Sequence, residues 1–314
     1  MTEKTTNSIA HVTCIGTGLI GSGWAVHFLR AGLHVVAYDP NRNAEKYLRD
    51  TVDRAWPSVQ KLGLNAHASV DRLQFTDDLP DALAHAQFVQ ESAPEDETLK
   101  MELLKQIDAV AAPDVVIASS SSSFLAGRLR SKCEAHPYRV LVGHPFNPPY
   151  LIPLVEVVGG GSADPQAVER AVQFYRDSGS RPIVLKKDIL GYVANRLQLA
   201  VMREIFHLVA EDVSSVADID DAIAYGPGLR WAIKGPCEIF MLASQRPDQF
   251  AQFIDLIVEE IDMGCVAVDR PTIREGVRET IVQGVGANQP NLSFEQRLLE
   301  RDQKIIALRQ TLVI

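Results

Sequence analysis

Several features are scarce in this chain, and each scarcity removes a class of protein. Four cysteines (Cys14, Cys133, Cys237 and Cys265) are scattered over 314 residues with no Cys-x-x-Cys spacing. They form neither a disulfide frame nor a zinc site and read as free thiols in a reducing compartment; no metal is expected. Long apolar runs are lacking, and none approaches the roughly 20 residues that cross a bilayer. The segment Met1–Ser8 is polar and has no signal-peptide core, so a cytoplasmic protein is expected. Positive charge is in deficit, 31 Lys and Arg against 40 Asp and Glu, a formal net charge of −9. That balance argues against nucleic acid or an anionic membrane as the main partner, while leaving room for a local basic pocket around an acidic small molecule. What remains is 46% hydrophobic and 23% charged, ordinary globular composition at a length that suits two domains.

The first informative stretch is N-terminal. His11–Ile15 reads as a short strand, Gly16-Thr17-Gly18-Leu19-Ile20-Gly21 as a turn, Ser22–Ala31 as a helix, and Leu33–Tyr38 as a second strand ending at Asp39. A Gly-x-Gly-x-x-Gly turn alone is common. Between strand and helix, with an acid after the second strand, it reads as a dinucleotide site. Gly16 permits the tight turn, Gly18 the close approach of a pyrophosphate, and Gly21 the packing of helix on strand. The helix start, with Leu19 and Ile20, offers free N–H groups and a positive dipole end. Asp39 is suited to the adenosine ribose hydroxyls and repels a 2′-phosphate, which favours NAD over NADP; Arg42 close by works against that preference.

Alternation continues beyond it. Asn43–Leu62 reads as a helix, Leu73–Phe75 and Phe88–Glu91 as strands, Glu97–Val110 as a helix, Val115–Ala118 as a strand, Val168–Asp177 as a helix and Pro182–Lys186 as a last strand. This implies an α/β domain with a doubly wound, Rossmann-type parallel sheet. Such sheets bind ligands outside the carboxyl ends of their strands. Gly16–Gly21, Ser92–Glu95, Ser119–Ser123 and His144 all fall at those ends. The five serines are either a flexible linker or an ordered turn with hydroxyls on a ligand; their place between an apolar strand and Phe124-Leu125 favours the turn. After Asp188 only helical periodicity is left, in Tyr192–Asp212, Val216–Ala224, Phe250–Met263 and Phe294–Leu312. The expected division is an NAD-binding domain at 1–187 and an all-helical C-terminal domain at 188–314, whose apolar helices suggest a homodimer. Gly226-Pro227-Gly228-Leu229-Arg230-Trp231 and Lys234-Gly235-Pro236 read as helix breaks, either solvated helix ends or a cationic, aromatic pocket for an acidic substrate.

The central stretch carries the chemistry. In Pro145-Phe146-Asn147-Pro148-Pro149-Tyr150 the prolines forbid helix or central strand, so His144 is expected in a fixed, irregular loop. Leu154–Val158 reads as a buried strand closed by Gly159-Gly160-Gly161. Within it Glu156 is costly unless paired, and His144 is the nearest ionisable candidate by sequence. A histidine oriented by a buried carboxylate is a good general base. The competing reading is a structural histidine with a glutamate at a wet strand edge.

Together, Gly16–Gly21, Glu91-Ser92-Ala93-Pro94-Glu95, Ser119–Ser123, His144–Tyr150, Pro153–Glu156 and Gly191-Tyr192-Val193-Ala194-Asn195-Arg196-Leu197-Gln198 resemble the L-3-hydroxyacyl-CoA dehydrogenase superfamily over nearly the whole chain. Within it the likeness leans to the lambda-crystallin, or L-gulonate 3-dehydrogenase, branch, with the L-carnitine dehydrogenases next. The resemblance implies His144 as general base with Glu156 as its partner, Ser122 and Asn195 on the reacting oxygen or the base, and Glu95 and Lys100 lining the cofactor pocket. It implies NAD-dependent oxidation of a 3-hydroxy acid to the 3-keto acid. A free carboxylate on Arg230 points away from a short-chain 3-hydroxyacyl-CoA, and Trp231 facing a quaternary ammonium keeps carnitine open. The rival of another class is a crystallin-like NAD-binding structural protein. The joint presence of Ser122, His144, Glu156 and Asn195 speaks against it.

Overall fold

Strand β1 (His11–Ile15) is apolar and buried along its last four residues, and it runs straight into Gly16, whose φ of +84° suits glycine. Nearby backbone explains the spacing of the next glycine. A Cβ on Gly21 would lie 1.8 Å from the Gly16 carbonyl oxygen, so helix α1 (Leu19–Arg30) packs onto the turn only without a side chain there. The computed structural model describes residues 9–244, 250–265, 276–287 and 293–312.

The chain continues through β2 (His34–Tyr38), α2 (Ala44–Lys61), β3 (Leu73–Thr76), α3 (Leu79–Leu83), β4 (Phe88–Glu91), α4 (Glu97–Val110), β5 (Val116–Ser119), α5 (Ala126–Leu129), β6 (Val140–Pro145), β7 (Leu154–Val158), α6 (Pro165–Asp177) and β8 (Arg181–Val184). The eight strands form one sheet in the order β3-β2-β1-β4-β5-β6-β7-β8. Strands β1 to β6 are parallel. This is the doubly wound, Rossmann-type sheet expected from the sequence, with one difference. Strand β7 runs antiparallel to β6, and β8 follows β7. Residues 146–153 are too few for the crossover of a dozen or more residues that a parallel return needs, so the chain turns back on itself. One core layer centres on Trp24, Phe28, Phe88, Phe174 and Tyr175. The other, on the opposite face, includes Leu104, Ile107, Ile117, Val142 and Tyr192.

Beyond β8 the described residues are helical: α7 (Ala194–Ala210), α8 (Val216–Tyr225), α9 (Pro227–Trp231), α10 (Pro236–Ala243), α11 (Phe250–Glu260) with a π-helical end at Ile261–Cys265, α12 (Val277–Ala287) and α13 (Phe294–Leu312). The segments expected as breaks are themselves helix starts. Pro227 and Pro236 open α9 and α10, where a missing N–H costs nothing. The chain divides into two compact units, Met1–Asn195 with Glu300–Ile314, and Arg196–Leu299. This differs from a division at Asp188, because the end of α13 packs with the first unit: Arg309 Nη1 donates to the Leu151 carbonyl at 3.0 Å and Gln310 Nε2 to the Lys61 carbonyl at 2.6 Å. Among the described residues no helix is long and apolar enough to cross a membrane.

Candidate active site

The β1–α1 turn forms a cradle of the shape a dinucleotide needs. At Gly18 an added Cβ would meet nothing within 4 Å, so the space above the turn is open to a phosphate. No side chain caps the start of α1, and its first N–H groups stay available. Leu19 is exposed at the rim, and Ile20 packs against the core beneath. Asp39, just past β2, is held by neighbours: its Oδ2 accepts from the Thr17 N–H and hydroxyl, both at 3.1 Å, and its Oδ1 from the Asn41 N–H at 3.0 Å. Arg42, which weighed against an NAD preference, is turned to Asp77, with Nη2 donating to Oδ1 at 2.9 Å and a second bond from Nε. These residues fit NAD.

The serine run is an ordered turn. At the end of β4 the fully buried Glu91 accepts from Lys100 Nζ at 2.8 Å, from the Ala93 N–H at 2.6 Å and from Ser119 Oγ. Glu95 Oε1 gathers the run, accepting from Ser121 Oγ at 2.7 Å and from the N–H groups of Ser122 and Ser123 at 2.9 and 3.0 Å. Partial burial works against the Glu95 carboxylate. The Ser121 bond, the nearby Lys100 and the two N–H groups outweigh it and hold its carboxyl below the usual range. Lys100 was expected to line the cofactor pocket, but it is 1% exposed. Its ammonium binds Glu91 and the Ala93 carbonyl and stands 3.5 Å from Glu95, so it supports the turn from behind.

Next to β5 in the sheet lies β6, and its end carries the histidine expected to act as a base. His144 sits on this strand, and the loop expected for it begins only after Pro145. The antiparallel β6–β7 pairing makes His144 and Glu156 register partners, with Nδ1 and Oε2 at 2.9 Å. The other Glu156 oxygen accepts from the N–H groups of Val193 and Ala194 at 2.9 and 3.0 Å, at the start of α7. Burial alone would push the Glu156 carboxyl up; the bonds from His144, Ala194 and Val193, and the imidazole's charge, hold it below the usual value. An ionised carboxylate only accepts, so Nδ1 carries a proton, and in the neutral ring Nε2 presents its lone pair. The rings of Tyr192 and Phe146 flank the imidazole at 5.3 and 5.5 Å. Asn195 follows in the first turn of α7.

The structure thus brings His144 and Glu156 together, places Asn195 directly after the Val193 and Ala194 N–H groups that bind Glu156, and sets Ser122 just past the end of the neighbouring strand. Arg230 and Trp231 are exposed on α9 of the second unit. Sequence reasoning missed Glu91 and its pairing with Lys100. The signal was present, since a glutamate ending the apolar Phe88-Val89-Gln90-Glu91 strand is the same anomaly as Glu156.

A Rossmann-type sheet with a carboxylate-oriented histidine at the end of one of its strands fits the class of pyridine-nucleotide-dependent dehydrogenases. The chain belongs to the 3-hydroxyacyl-CoA dehydrogenase family: the description "3-hydroxyacyl-CoA dehydrogenase, NAD binding domain" matches residues 11–189, and that of the family's C-terminal domain matches residues 191–244. It is an NAD-dependent oxidoreductase. It is 41% identical to the L-carnitine dehydrogenase of Nocardiopsis dassonvillei, covering 99% of this chain and 95% of the relative, and 43% identical to that of Streptomyces griseus, covering 96% and 90%. Among solved structures, that of 5-formyl-3-hydroxy-2-methylpyridine 4-carboxylic acid 5-dehydrogenase, described as an NAD+-dependent dismutase, is 30% identical with a TM-score of 0.84, covering 97% of this chain and 98% of that one. These matches correct the order expected from the sequence, which set gulonate enzymes ahead of carnitine enzymes.

Proposed function

We propose that the protein is an L-carnitine 3-dehydrogenase, oxidising the C3 secondary alcohol of a short, free-carboxylate 3-hydroxy acid to the ketone. The observation that carries the chemistry is the 2.9 Å contact between His144 Nδ1 and the buried Glu156. Full-length similarity to carnitine dehydrogenases supports the choice of substrate. Bound NAD+ supplies the hydride acceptor. His144 Nε2 takes the hydroxyl proton, and Glu156 stabilises the imidazolium that results. Ser122 and Asn195 hold the reacting oxygen and bear the charge developing on it. For the ends of the substrate we assign Arg230 to the carboxylate and Trp231 to the quaternary ammonium, which aromatic faces attract. A panel of L-carnitine, L-gulonate, 3-hydroxybutyrate and 3-hydroxybutyryl-CoA, followed by NADH formation, is the test. L-carnitine should give the highest kcat/KM, and a higher value for any other member overturns the assignment.

A homodimer through the second unit belongs to the same proposal. Leu197, Leu199, Leu242, Ile254, Leu256 and Val258 are exposed there, more apolar surface than a lone small unit leaves wet. A monomer mass by light scattering at micromolar concentration would contradict it. The free thiols Cys14, Cys133 and Cys237 support a cytoplasmic location.

A further inference from the structure

Behind the strand ends runs a buried polar network whose hydrogens can be counted one by one. Gln90 on β4 and Tyr175 on α6 are fully buried. Gln90 Nε2 lies 2.8 Å from Ser120 Oγ and 3.2 Å from the Gly143 carbonyl oxygen, Tyr175 Oη lies 2.6 Å from Gln90 Oε1, Trp24 Nε1 lies 3.2 Å from Ser120 Oγ, and the hydroxyls of Ser120 and Ser92 are 2.8 Å apart. A carbonyl oxygen only accepts, so Gly143 fixes which way the Gln90 amide points. Both amide hydrogens are then used, on Gly143 and on Ser120. The Gln90 oxygen faces Tyr175, which donates; burial keeps that phenol protonated by pushing it well above its usual value. The indole N–H of Trp24 is a donor only. Ser120 Oγ therefore accepts twice, from Gln90 and from Trp24, and its single proton goes to Ser92. Ser92 Oγ accepts that proton, and its own is left without an acceptor among the described residues.

The place of Ser92 says what that proton meets. It directly follows β4, and its N–H donates to the carbonyl of Ile15 at the end of β1 at 2.7 Å. Its carbonyl oxygen would lie 2.7 Å from a Cβ on Gly16, and its own Cβ 3.4 Å from one on Gly21. In the sheet order β4 flanks β1 on the side away from β2. A dinucleotide held with its adenosine ribose on Asp39 and its pyrophosphate on the β1–α1 turn would extend over the end of β4, the strand next to β1 on the side of β6 and His144. We propose that Ser92 is a pre-oriented hydrogen-bond donor to the nicotinamide-side ribose of bound NAD, its hydroxyl being the open end of a one-way chain from Tyr175 through Gln90 and Ser120. The chain fixes the direction of the donor before the cofactor arrives, so little rotational freedom is lost on binding.

The test uses the full-length protein, with NADH and ADP as probes. Fluorescence titration of Ser92→Ala should show the Kd for NADH raised about three- to tenfold, the size of one neutral hydrogen bond. The Kd for ADP, measured by calorimetry, should be unchanged, because ADP lacks the nicotinamide-side ribose. Ser92→Cys keeps the bulk with a weak donor, should weaken NADH in the same direction, and serves if the alanine variant does not fold. An unchanged Kd for NADH overturns the proposal. So does an equal loss for ADP, which would place the hydroxyl on the shared adenosine and pyrophosphate half. Neither titration contains substrate, so the outcome is independent of the carnitine assignment.

Discussion

If His144 and Glu156 act on one proton, as proposed, their variants should show it. His144→Gln removes the general base and should lower kcat/KM about 10²–10⁴-fold while leaving the Kd for NADH nearly unchanged. Glu156→Gln has a more particular effect. The new amide must turn its oxygen to the N–H groups of Val193 and Ala194, which donate to this side chain. Its NH2 then faces Nδ1, the ring proton moves to Nε2, and the base presents a donor where it needs a lone pair. The two losses should therefore not multiply in the double variant. Simple multiplication of the kcat/KM losses would separate the pair. For the cofactor, Asp39→Ser should narrow the preference for NAD over NADP, since Arg42 is held by Asp77. Equal turnover with both cofactors in the unaltered protein would contradict the role given to Asp39. At this scale the sequence was legible wherever a residue type clashed with its setting, as with Glu156 in an apolar strand. The hydroxyls were not legible, because a serine's role depends on which donors and acceptors surround it, and those come from Trp24, Gln90 and Glu95, distant along the chain.

Among the elements, periodicity located most strands and helices to within a few residues, because each one buries a single face or stripe. Two failures have definite causes. Strand β6 ends at Pro145, and the run of prolines after it masked the strand before it. The reversal at β7 came from a connection too short to cross over, which pattern alone does not weigh. The Glu91–Lys100 pair was missed as well, and it ties β4 to α4. Both groups are 0 to 1% exposed at 2.8 Å. Removing one partner of a buried pair leaves an uncompensated charge, which costs about 3–5 kcal/mol. Lys100→Met should lower the unfolding free energy of the first unit by that amount in a urea titration. A loss under about 1 kcal/mol, the range of a surface pair, would show that water reaches Glu91.

At the scale of the whole chain, what the sequence could not show is where its end goes. The periodicity of α13 was evident, but its packing against Leu151 and Lys61 joins residues far apart in sequence. That packing also brings a charge near His27, a buried residue of α1 whose Nε2 lies 3.3 and 3.0 Å from the hydroxyls of Ser178 and Ser180. Burial first, and then the charges of Arg30 and Arg309, lower its pKa from 6.5 to about 3. The sign of the consequence follows. Below pH 6.5 the unfolded chain takes up a proton at His27 that the folded protein refuses, so acid removes stability, by up to about 1.4 kcal/mol per pH unit until the folded histidine protonates. Between pH 7 and pH 5 this site should account for about 2 kcal/mol of lost stability. His27→Gln keeps polar contact with the two serines and cannot titrate, so its urea midpoint should fall less over that interval, by the equivalent of this amount. Parallel losses in the two proteins between pH 7 and pH 5 would mean that His27 is protonated in the folded state, and that the meeting of α1, α6 and α13 is open to water.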